Sequence, residues 1–361
     1  MDAGGKVQAW PADGLETLGA CPICASKDRE HVHKGVTDGW RERPYARAPG
    51  EWNIYRCKSC GTGYIDPRPT QASVALAYQR PLSHGASSPT PLPDQSPPTG
   101  WRGVRLALRN RYLNDRYGYH LLPASRLNPG WLSLKQQLRY DRHVAYLRYP
   151  GPGARLLDVG CGPGQLLLRM KAAGWQICGV EPDPRAAAMG AAAGIDVRVG
   201  TMETARLEPN SFDAITIHHV IEHMHDPVPV LRRCREVLKP GGVISIATPN
   251  FASEGQRRYG PAWFPLDPPR HLILFTPDSL RRALEASGFV TEPPIRLRLE
   301  GPDIFRRSEQ IRAGMALGRP ISRLRGAARF QASWLGRRAD QATRANQELG
   351  EEIFLQARRK N

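Results

Sequence analysis

No stretch of this 361-residue chain is apolar for anything near the about twenty residues a membrane-spanning helix needs. The opening segment, Met1 to Ala20, lacks the basic-then-apolar pattern of a secretory leader. Seven cysteines are too few, and too unevenly spaced, for a disulfide-stapled secreted scaffold. Aromatic residues make up 7% and hydrophobic residues 40%, somewhat low but enough for a globular core. These absences exclude an integral membrane helix protein and a secreted mini-protein, and leave a cytoplasmic enzyme as the expectation. Acidic residues are scarce in two places. Residues 101–150 hold two against ten basic groups, and residues 301–361 hold six against thirteen. The net charge of +17 comes almost wholly from these flanks, while residues 151–300 are nearly neutral with seventeen basic and sixteen acidic groups. Local clusters, rather than the total, set the field a partner meets.

What is plentiful is glycine (35) and proline (33), which points to long irregular connections. The most informative run is Leu156-Leu157-Asp158-Val159-Gly160-Cys161-Gly162-Pro163-Gly164. A short apolar strand ends in an acid, then in three alternating glycines, then in a helical stretch from Gln165. Glycine suits a turn with positive φ where a ligand lies against the backbone. The amides of the following helix favour a polar or anionic ligand group. About twenty residues on, Gln176 to Glu181 reads as a second strand ending in an acid able to grip a ribose diol. A dinucleotide site of the G-x-G-x-x-G type needs a last glycine that Gln165 and Leu166 do not supply.

Through Asp158, Gly160, Gly162 and Gly164 the chain resembles the class I S-adenosylmethionine (SAM) dependent methyltransferases, whose signature is D-x-G-x-G-x-G. The resemblance covers roughly residues 150–300. It implies an α/β fold, a doubly wound, mostly parallel, seven-stranded Rossmann-like sheet with added helices. It implies that Gly160, Cys161, Gly162 and Gly164 pass under the methionine and ribose portions of SAM, with Glu181 and Pro182 at the ribose. Many relatives carry an acid where Thr201 stands, so Met202 and Glu203 are the neighbours expected at the adenine.

From Ala154 the pattern alternates. Strands are expected at 154–159, 176–181, 195–199, 212–217 and 243–248, with helices near 165–173, 184–193, 227–238 and 277–287. Lys239-Pro240-Gly241-Gly242 is read as the stop of the fourth crossover helix. The family's closing hairpin would use Val290 to Leu299 and Glu352 to Ala357, with residues 303–348 inserted as helices and Pro320 starting the second of them.

The strand 212–217 leads into His218-His219-Val220-Ile221-Glu222-His223-Met224-His225. His218, expected at the edge of the SAM pocket, His219, Glu222 and His223 are candidate acid–base residues, since histidine takes a proton near neutral pH. Packing against the cofactor or capping a helix is the plainer role for any one of them. His219-x-x-Glu222-His223 also resembles the E-x-x-E-H site of metal-assisted O-methyltransferases, including catechol and small-RNA methylators, with His219 in place of the first glutamate. Helical spacing would put the three on one face, and His271 in Pro268-Pro269-Arg270-His271 is a further candidate, both as catalytic residue and as fourth ligand.

Cys21-Pro22-Ile23-Cys24 and Cys57-Lys58-Ser59-Cys60-Gly61 are two C-x-x-C knuckles, a pattern that suits tetrahedral zinc. Cys161, Cys178 and Cys234 read as small apolar fillers. The ribbon together with H-V-I-E-H and P-R-H is similar to bacterial methyltransferases of sugar, polysaccharide and natural-product pathways. The organisation expected is a flexible tail (1–20), a zinc-ribbon module (21–66) that needs its metal to hold together, a Pro/Ser-rich linker (67–100), a basic helical segment (101–150), the SAM core (151–300), a basic helical insertion (301–350) and the last core strand (351–361).

The expected function is methyl transfer to a small-molecule or glycan acceptor such as a sugar, nucleotide sugar, lipid-linked precursor or natural product, at O or C rather than N. The alternatives are a metal-assisted RNA or catechol-type O-methyltransferase, and a non-catalytic partner protein on the same fold. Ile304, Ile311, Met315, Leu324 and Trp334, set among arginines, make the 303–348 insertion a candidate for peripheral contact with an anionic membrane surface. RNA is a second candidate partner because the pI is near 10. The oligomeric state is left open.

Overall fold

The computed structural model describes residues 9–39, 48–78, 100–293, 296–315, 321 and 324–360. The chain divides into two compact units. One comprises Met1–Pro81, His219–Leu231 and Ile246–Leu355; the other comprises Leu82–His218, Arg232–Ser245 and Gln356–Asn361. In chain order the first elements are β1 (Leu15–Glu16), β2 (Arg29–Val36), β3 (Trp52–Cys57), β4 (Gly63–Ile65) and β5 (Arg68–Pro69). Two helices follow, α1 (Gly100–Tyr117) and α2 (Leu134–His143). Next comes the alternating series β6 (Arg155–Val159), α3 (Gln165–Ala172), β7 (Gln176–Glu181), α4 (Pro184–Ala192), β8 (Asp196–Val199), β9 (Phe212–His218), α5 (Pro227–Val237) and β10 (Leu238–Pro249). The remainder is α6 (Glu254–Tyr259), β11 (Ile273–Leu274), α7 (Pro277–Ala286), β12 (Phe289–Glu292), α8 (Gly301–Arg312), α9 (Gly326–Ala345) and β13 (Glu352–Arg359).

In the unit built around residues 82–218, β6 is the central strand. Leu156, Leu157 and Val159 are all buried, as both faces of a parallel strand should be. It runs parallel to β7, with Leu157 opposite Cys178, and to β9, with Leu157 opposite Ile215; β8 pairs parallel to β7 on the far side. The sheet of seven strands has the order β12-β13-β10-β9-β6-β7-β8, so the sequence reading of a seven-stranded α/β sheet holds. Strands and helices lie where the sequence places them, except that the strand expected over Val290 to Leu299 is confined to Phe289–Glu292 and the fifth strand starts at Leu238 rather than 243. Lys239 Nζ reaches both carboxylate oxygens of Asp213 on β9, at 2.9 and 2.8 Å, and this draws the K-P-G-G turn into the strand. Cys161, Cys178 and Cys234 are buried, as fillers should be.

The other unit has a four-stranded sheet in the order β11-β4-β3-β2. Here the expectation of a separate ribbon module fails. β4 pairs antiparallel with β11, over two hundred residues away, placing Tyr64 opposite Ile273 and Gly63 opposite Leu274. Trp52, Ile54 and Ile65 share one buried cluster with Phe251, Trp263, Leu274 and Phe305. The cysteine-bearing segment therefore borrows a core from the C-terminal half of the chain, so its apolar burial is not limited to its own residues. Residues 9–20 also differ from a flexible tail. Trp10 is buried and donates to the Gly14 carbonyl at 3.2 Å, β1 pairs with β5, and the amides of Leu18 and Gly19 donate to Asp66. Of the expected linker, residues 68–69 and 74–78 are ordered elements; residues 79–99, and Pro320 of the second insertion, lie outside the described residues.

The insertion is two helices, α8 and α9, that cross closely. A Cβ on Gly301 would sit 2.2 Å from the Gly336 carbonyl oxygen, and the Gly301 amide donates to Asp340 Oδ1 at 2.9 Å. Leu324 is buried and Ile304 and Ile311 are partly covered, while Trp334 remains exposed. Most of the apolar stripe read from sequence is consumed by packing within its own unit.

Candidate functional site

The glycine turn follows β6 in the way its composition requires. Gly160, Gly162 and Gly164 all have positive φ (69°, 53° and 83°), and Gly164 caps α3 in the left-handed region. The amides of Gly160 and Cys161 donate to the Val180 carbonyl at 2.8 and 3.2 Å, which ties the turn to β7. The Gly162 amide donates to Glu181 Oε2 at 2.8 Å, and the Asp183 amide donates to Oε1 at 2.9 Å. Each carboxylate oxygen keeps a second lone pair, so Glu181 can still accept from hydroxyls. Burial pushes the Glu181 carboxyl up, and the two amides oppose that.

Asp158 is buried and accepts from Thr216 Oγ1 at 2.6 Å. Burial raises its carboxyl to about 7, against the hydrogen bond that holds it down. A Cβ on Gly162 would meet nothing within 4 Å, whereas one on Gly164 would sit 2.1 Å from Ile195 Cδ1. The turn therefore presents open space at Gly162 and packed interior at Gly164. That is the shape of a backbone cradle, and it fits a nucleoside ligand.

The Cys161 side chain turns away onto β7, where a Cβ on Gly179 would lie 2.4 Å from Sγ, so Cys161 offers the cradle its backbone and not its thiol. Pro182 and Glu203 are exposed and Met202 is buried. His218 ends β9, half-buried, with Nε2 3.4 Å from Ser245 Oγ.

The unit boundary falls after His218, and the acid–base segment begins at the next residue. Its geometry departs from the helical reading. His219 has a positive φ of 56°, and only Ile221–His223 forms a short 3-10 turn. Positions 219, 222 and 223 thus do not share a helix face. His219 instead places Nε2 2.7 Å from Glu352 Oε1, with Nδ1 3.6 Å from Glu222 Oε1. Desolvation pulls the His219 imidazole down, but the Glu352 and Glu222 carboxylates outweigh it and hold the pKa up at about 10, so the ring is cationic. Its side chain is still 55% exposed, so water screens these pairs in part.

The group that converges is Glu222, His223 and His271, each offering a ligand atom within 4.8 Å of the others. His223 Nδ1 lies 2.9 Å from the Arg270 carbonyl and 3.0 Å from the Tyr78 hydroxyl. A carbonyl only accepts, so Nδ1 carries the proton and the lone pair is on Nε2. His271 Nδ1 lies 2.7 Å from the Pro265 carbonyl, which fixes the same tautomer. The two rings stand edge to face, 4.7 Å apart. Glu222 Oε2 accepts from Thr248 Oγ1 at 3.0 Å, but Oε1 is buried with no hydrogen-bond partner among the described residues. Burial raises the Glu222 carboxyl, but the neighbouring histidines override it and bring it to about 2. Burial, then the charge of His223, lowers His271.

Arg270 anchors this loop. It pairs with Asp38 Oδ1 at 2.7 Å and Asp267 Oδ1 at 2.6 Å, all three side chains buried. Tyr78, Thr248 and Glu352 were missed in the sequence because nothing local marks them; chain segments far apart bring them to the cluster.

The four cysteines converge as their spacing requires. Cys21 and Cys60 sulfurs are 3.6 Å apart, Cys24 and Cys57 sulfurs 3.5 Å, and all four lie within 4.8 Å of one another. Tetrahedral zinc with sulfur at about 2.3 Å demands separations close to these. Hydrogen bonding to Cys60 drives the Cys21 thiol up, while the same bond pulls Cys60 down to about 4. Ala25 takes a positive φ of 57° in the first knuckle, the place Gly61 fills in the second with 75°.

Residues 133–293 match a methyltransferase domain family. A ubiquinone biosynthesis O-methyltransferase of Xanthomonas campestris pv. campestris (strain B100) is 39% identical over 106 residues, 27% of this chain and 44% of that protein. Its namesake from Chelativorans sp. (strain BNC1) is 32% identical over 155 residues, covering 40% of this chain and 61% of that protein. The chain thus spans less than two thirds of the curated relatives it matches. Among solved structures, a SAM-dependent methyltransferase from Mesorhizobium loti is 18% identical, covers 62% of this chain and 98% of that one, and gives a TM-score of 0.41. The cyclase SpnF is 23% identical and covers 72% of this chain and 95% of its own, at a TM-score of 0.44.

Proposed function

We propose that this chain, whose residues 133–293 match a methyltransferase domain family, binds SAM on the glycine turn after β6 and transfers its methyl group to an oxygen or acidic carbon of a small-molecule or glycan acceptor. The observation that carries the reading is the turn itself, with open space over Gly162 and the Glu181 carboxylate fastened to its amide. Glu181 would hold the ribose hydroxyls, and the backbone of Gly160 to Gly164 would line the rest. SAM supplies an electrophilic methyl on a sulfonium.

The chain's own task is then to hold a nucleophile in line and remove its proton. His223 and His271 suit that task. Both have Nδ1–H fixed on a backbone carbonyl, leaving Nε2 as the basic nitrogen, and ionised Glu222 stabilises the imidazolium that forms. His219 is already cationic between two carboxylates and orients Glu222 instead of acting as the base. The relatives' name as O-methyltransferases favours oxygen as the acceptor atom. Calorimetric titration with SAM and with its demethylated product tests cofactor binding, and a mass gain of one CH2 on an acceptor tests transfer. Failure to bind either nucleoside would overturn the reading.

A second reading adds a divalent cation at Glu222, His223 and His271. The buried Glu222 Oε1, which accepts no hydrogen bond among the described residues and meets the His219 ring at 3.6 Å, favours it, as do the two histidines whose Nδ1–H groups rest on carbonyls in the manner of metal ligands. Turnover unchanged by chelator and by added divalent ions would refute it. At Cys21, Cys24, Cys57 and Cys60 the reading is structural zinc, since the four sulfurs gather within 4.8 Å of one another, at a spacing that suits tetrahedral coordination.

A further inference from the structure

We propose that α1 and the segment that returns along it form a docking surface for an anionic lipid bilayer. The unit holding residues 82–218 shows an uneven outer face. Trp101 is 83% exposed, Leu122 84%, Leu127 66% and Trp131 63%, with Val104 also exposed. Most of the exposed large hydrophobic side chains among the described residues fall between 101 and 134. Scattered singly, such residues need no explanation; grouped, they mark a surface that meets something.

They are grouped by the backbone. After α1 the chain doubles back. The Leu121 amide donates to Asn114 Oδ1 at 2.8 Å, Asn110 Nδ2 donates to the Pro123 carbonyl at 3.0 Å, and the Ser125 amide donates to the Ala107 carbonyl at 3.0 Å. Each step along the returning segment lies beside an earlier turn of α1, and the short turn Pro129–Trp131 then touches α1 as well. Leu122, Leu127 and Trp131 therefore line the helix whose first turn presents Trp101 and Val104.

Charge decides the partner. Residues 101–150 carry ten basic groups and two acidic ones. Of the two acids, Asp141 is buried against Tyr112 and Arg116, and Asp115 is paired with Arg111. Arg102, Arg105 and Arg126 are exposed among the apolar side chains. A second copy of this face would oppose positive charge to positive charge in an isologous contact. A nucleic acid would use the arginines but leave the leucines in water. A bilayer of anionic lipid takes both, with tryptophan at headgroup depth, leucine in the acyl boundary and arginine on the phosphates.

The test uses the full-length chain in flotation with vesicles of phosphatidylglycerol and phosphatidylcholine, against phosphatidylcholine alone. Binding to the anionic vesicles at low salt is expected, falling steeply toward 1 M salt, where the screening length is about 3 Å. The triple variant Trp101→Ser, Leu127→Ser, Trp131→Ser should lose at least tenfold in binding while its thermal midpoint stays put. Arg102→Glu with Arg105→Glu should lose a similar factor, since each basic residue at the surface is worth about fivefold. Trp334→Ser on α9 should change nothing. No flotation at low salt, equal binding of the triple variant, equal binding to neutral vesicles, or a concentration-dependent dimer abolished by the same substitutions would each overturn the proposal.

Discussion

Replacing Gly162 by alanine separates the cradle from the fold. In this turn an added Cβ meets no atom of the chain within 4 Å, so the substitution introduces no internal clash. Its cost to the fold is the strain of an alanine at φ near 53°, about 1–2 kcal/mol. For a chain of this length that is a loss of only a few degrees in thermal midpoint. The new methyl stands in the open space beside the amide that Glu181 holds at 2.8 Å, the place assigned to the nucleoside. SAM must either shift or lose contact there, and a loss of at least tenfold in affinity, about 1.4 kcal/mol, follows. Gly164→Ala is the contrast. Its Cβ would lie 2.1 Å from Ile195 Cδ1, so overpacking of about 1–3 kcal/mol adds to the backbone strain and the fold suffers first. Isothermal titration with SAM, read beside thermal melts of both variants, distinguishes the two effects. If Gly162→Ala binds SAM like the parent chain, the open space over Gly162 is not the cofactor cradle and the site assignment fails.

Other perturbations test the rest of the structure. Arg270→Met leaves the Asp38 and Asp267 carboxylates buried without the guanidinium that pairs with both and should destabilise the chain by about 3–5 kcal/mol, seen as an early transition in denaturant. Cys57→Ser, or a strong chelator, should release one zinc per chain, measured by a colorimetric metal assay, and lower the melting temperature without abolishing folding, because the ribbon shares its core with Phe251 and Trp263. The pH dependence has a fixed sign for each group. Burial raises Asp158 from 3.8 to about 7 and Glu351 from 4.5 to about 7. Carboxylates raised by folding add stability that is complete below the unfolded pKa and is lost as pH climbs through the folded one. His219, raised from 6.5 to about 10 by Glu352 and Glu222 against desolvation, adds a further loss between those values. Compared with the parent chain, Glu351→Gln should lose less of its thermal midpoint as pH rises from 5 to 7. A variant slope equal to the parent's contradicts the burial argument. Glu222→Gln should cut turnover by about two orders of magnitude while leaving SAM affinity unchanged, as the loss of a group that acts on the acceptor side predicts.

The parts of the fold legible in the sequence are those whose signal is local. Leu156 to Gly164 announces a strand, a turn and a helix through apolar residues and glycine alone, and the strand periods at 176–181 and 212–217 carry as directly. The paired C-x-x-C knuckles converge because cysteine spacing encodes the turn that closes each of them. The His218–Glu222–His223 segment was visible as chemistry but not as geometry. Helical spacing assigned His219 to one face with Glu222 and His223, whereas its positive φ and the 3-10 turn after it send the ring toward Glu352. No short-range pattern reports a left-handed residue of that kind, since its strain is held by distant neighbours.

The sequence by itself determined the alternation of strand and helix in the core, the glycine turn and the two C-x-x-C knuckles, because each depends on a period or a spacing within some twenty residues. Only the tertiary structure decided which titratable groups work together. His271 joins Glu222 and His223 through the fixed loop held by Arg270, and Tyr78 and Thr248 come from segments over a hundred and from over twenty residues away. It also decided that the cysteine ribbon is no separate module, through the β4–β11 pairing and a shared core. The same is true of the apolar faces. Most of the stripe on the insertion is covered within its own unit, with Trp334 left exposed, while the return along α1 leaves Trp101, Leu122, Leu127 and Trp131 facing water. Burial is a property of what a surface meets, and no pattern within one element specifies that partner.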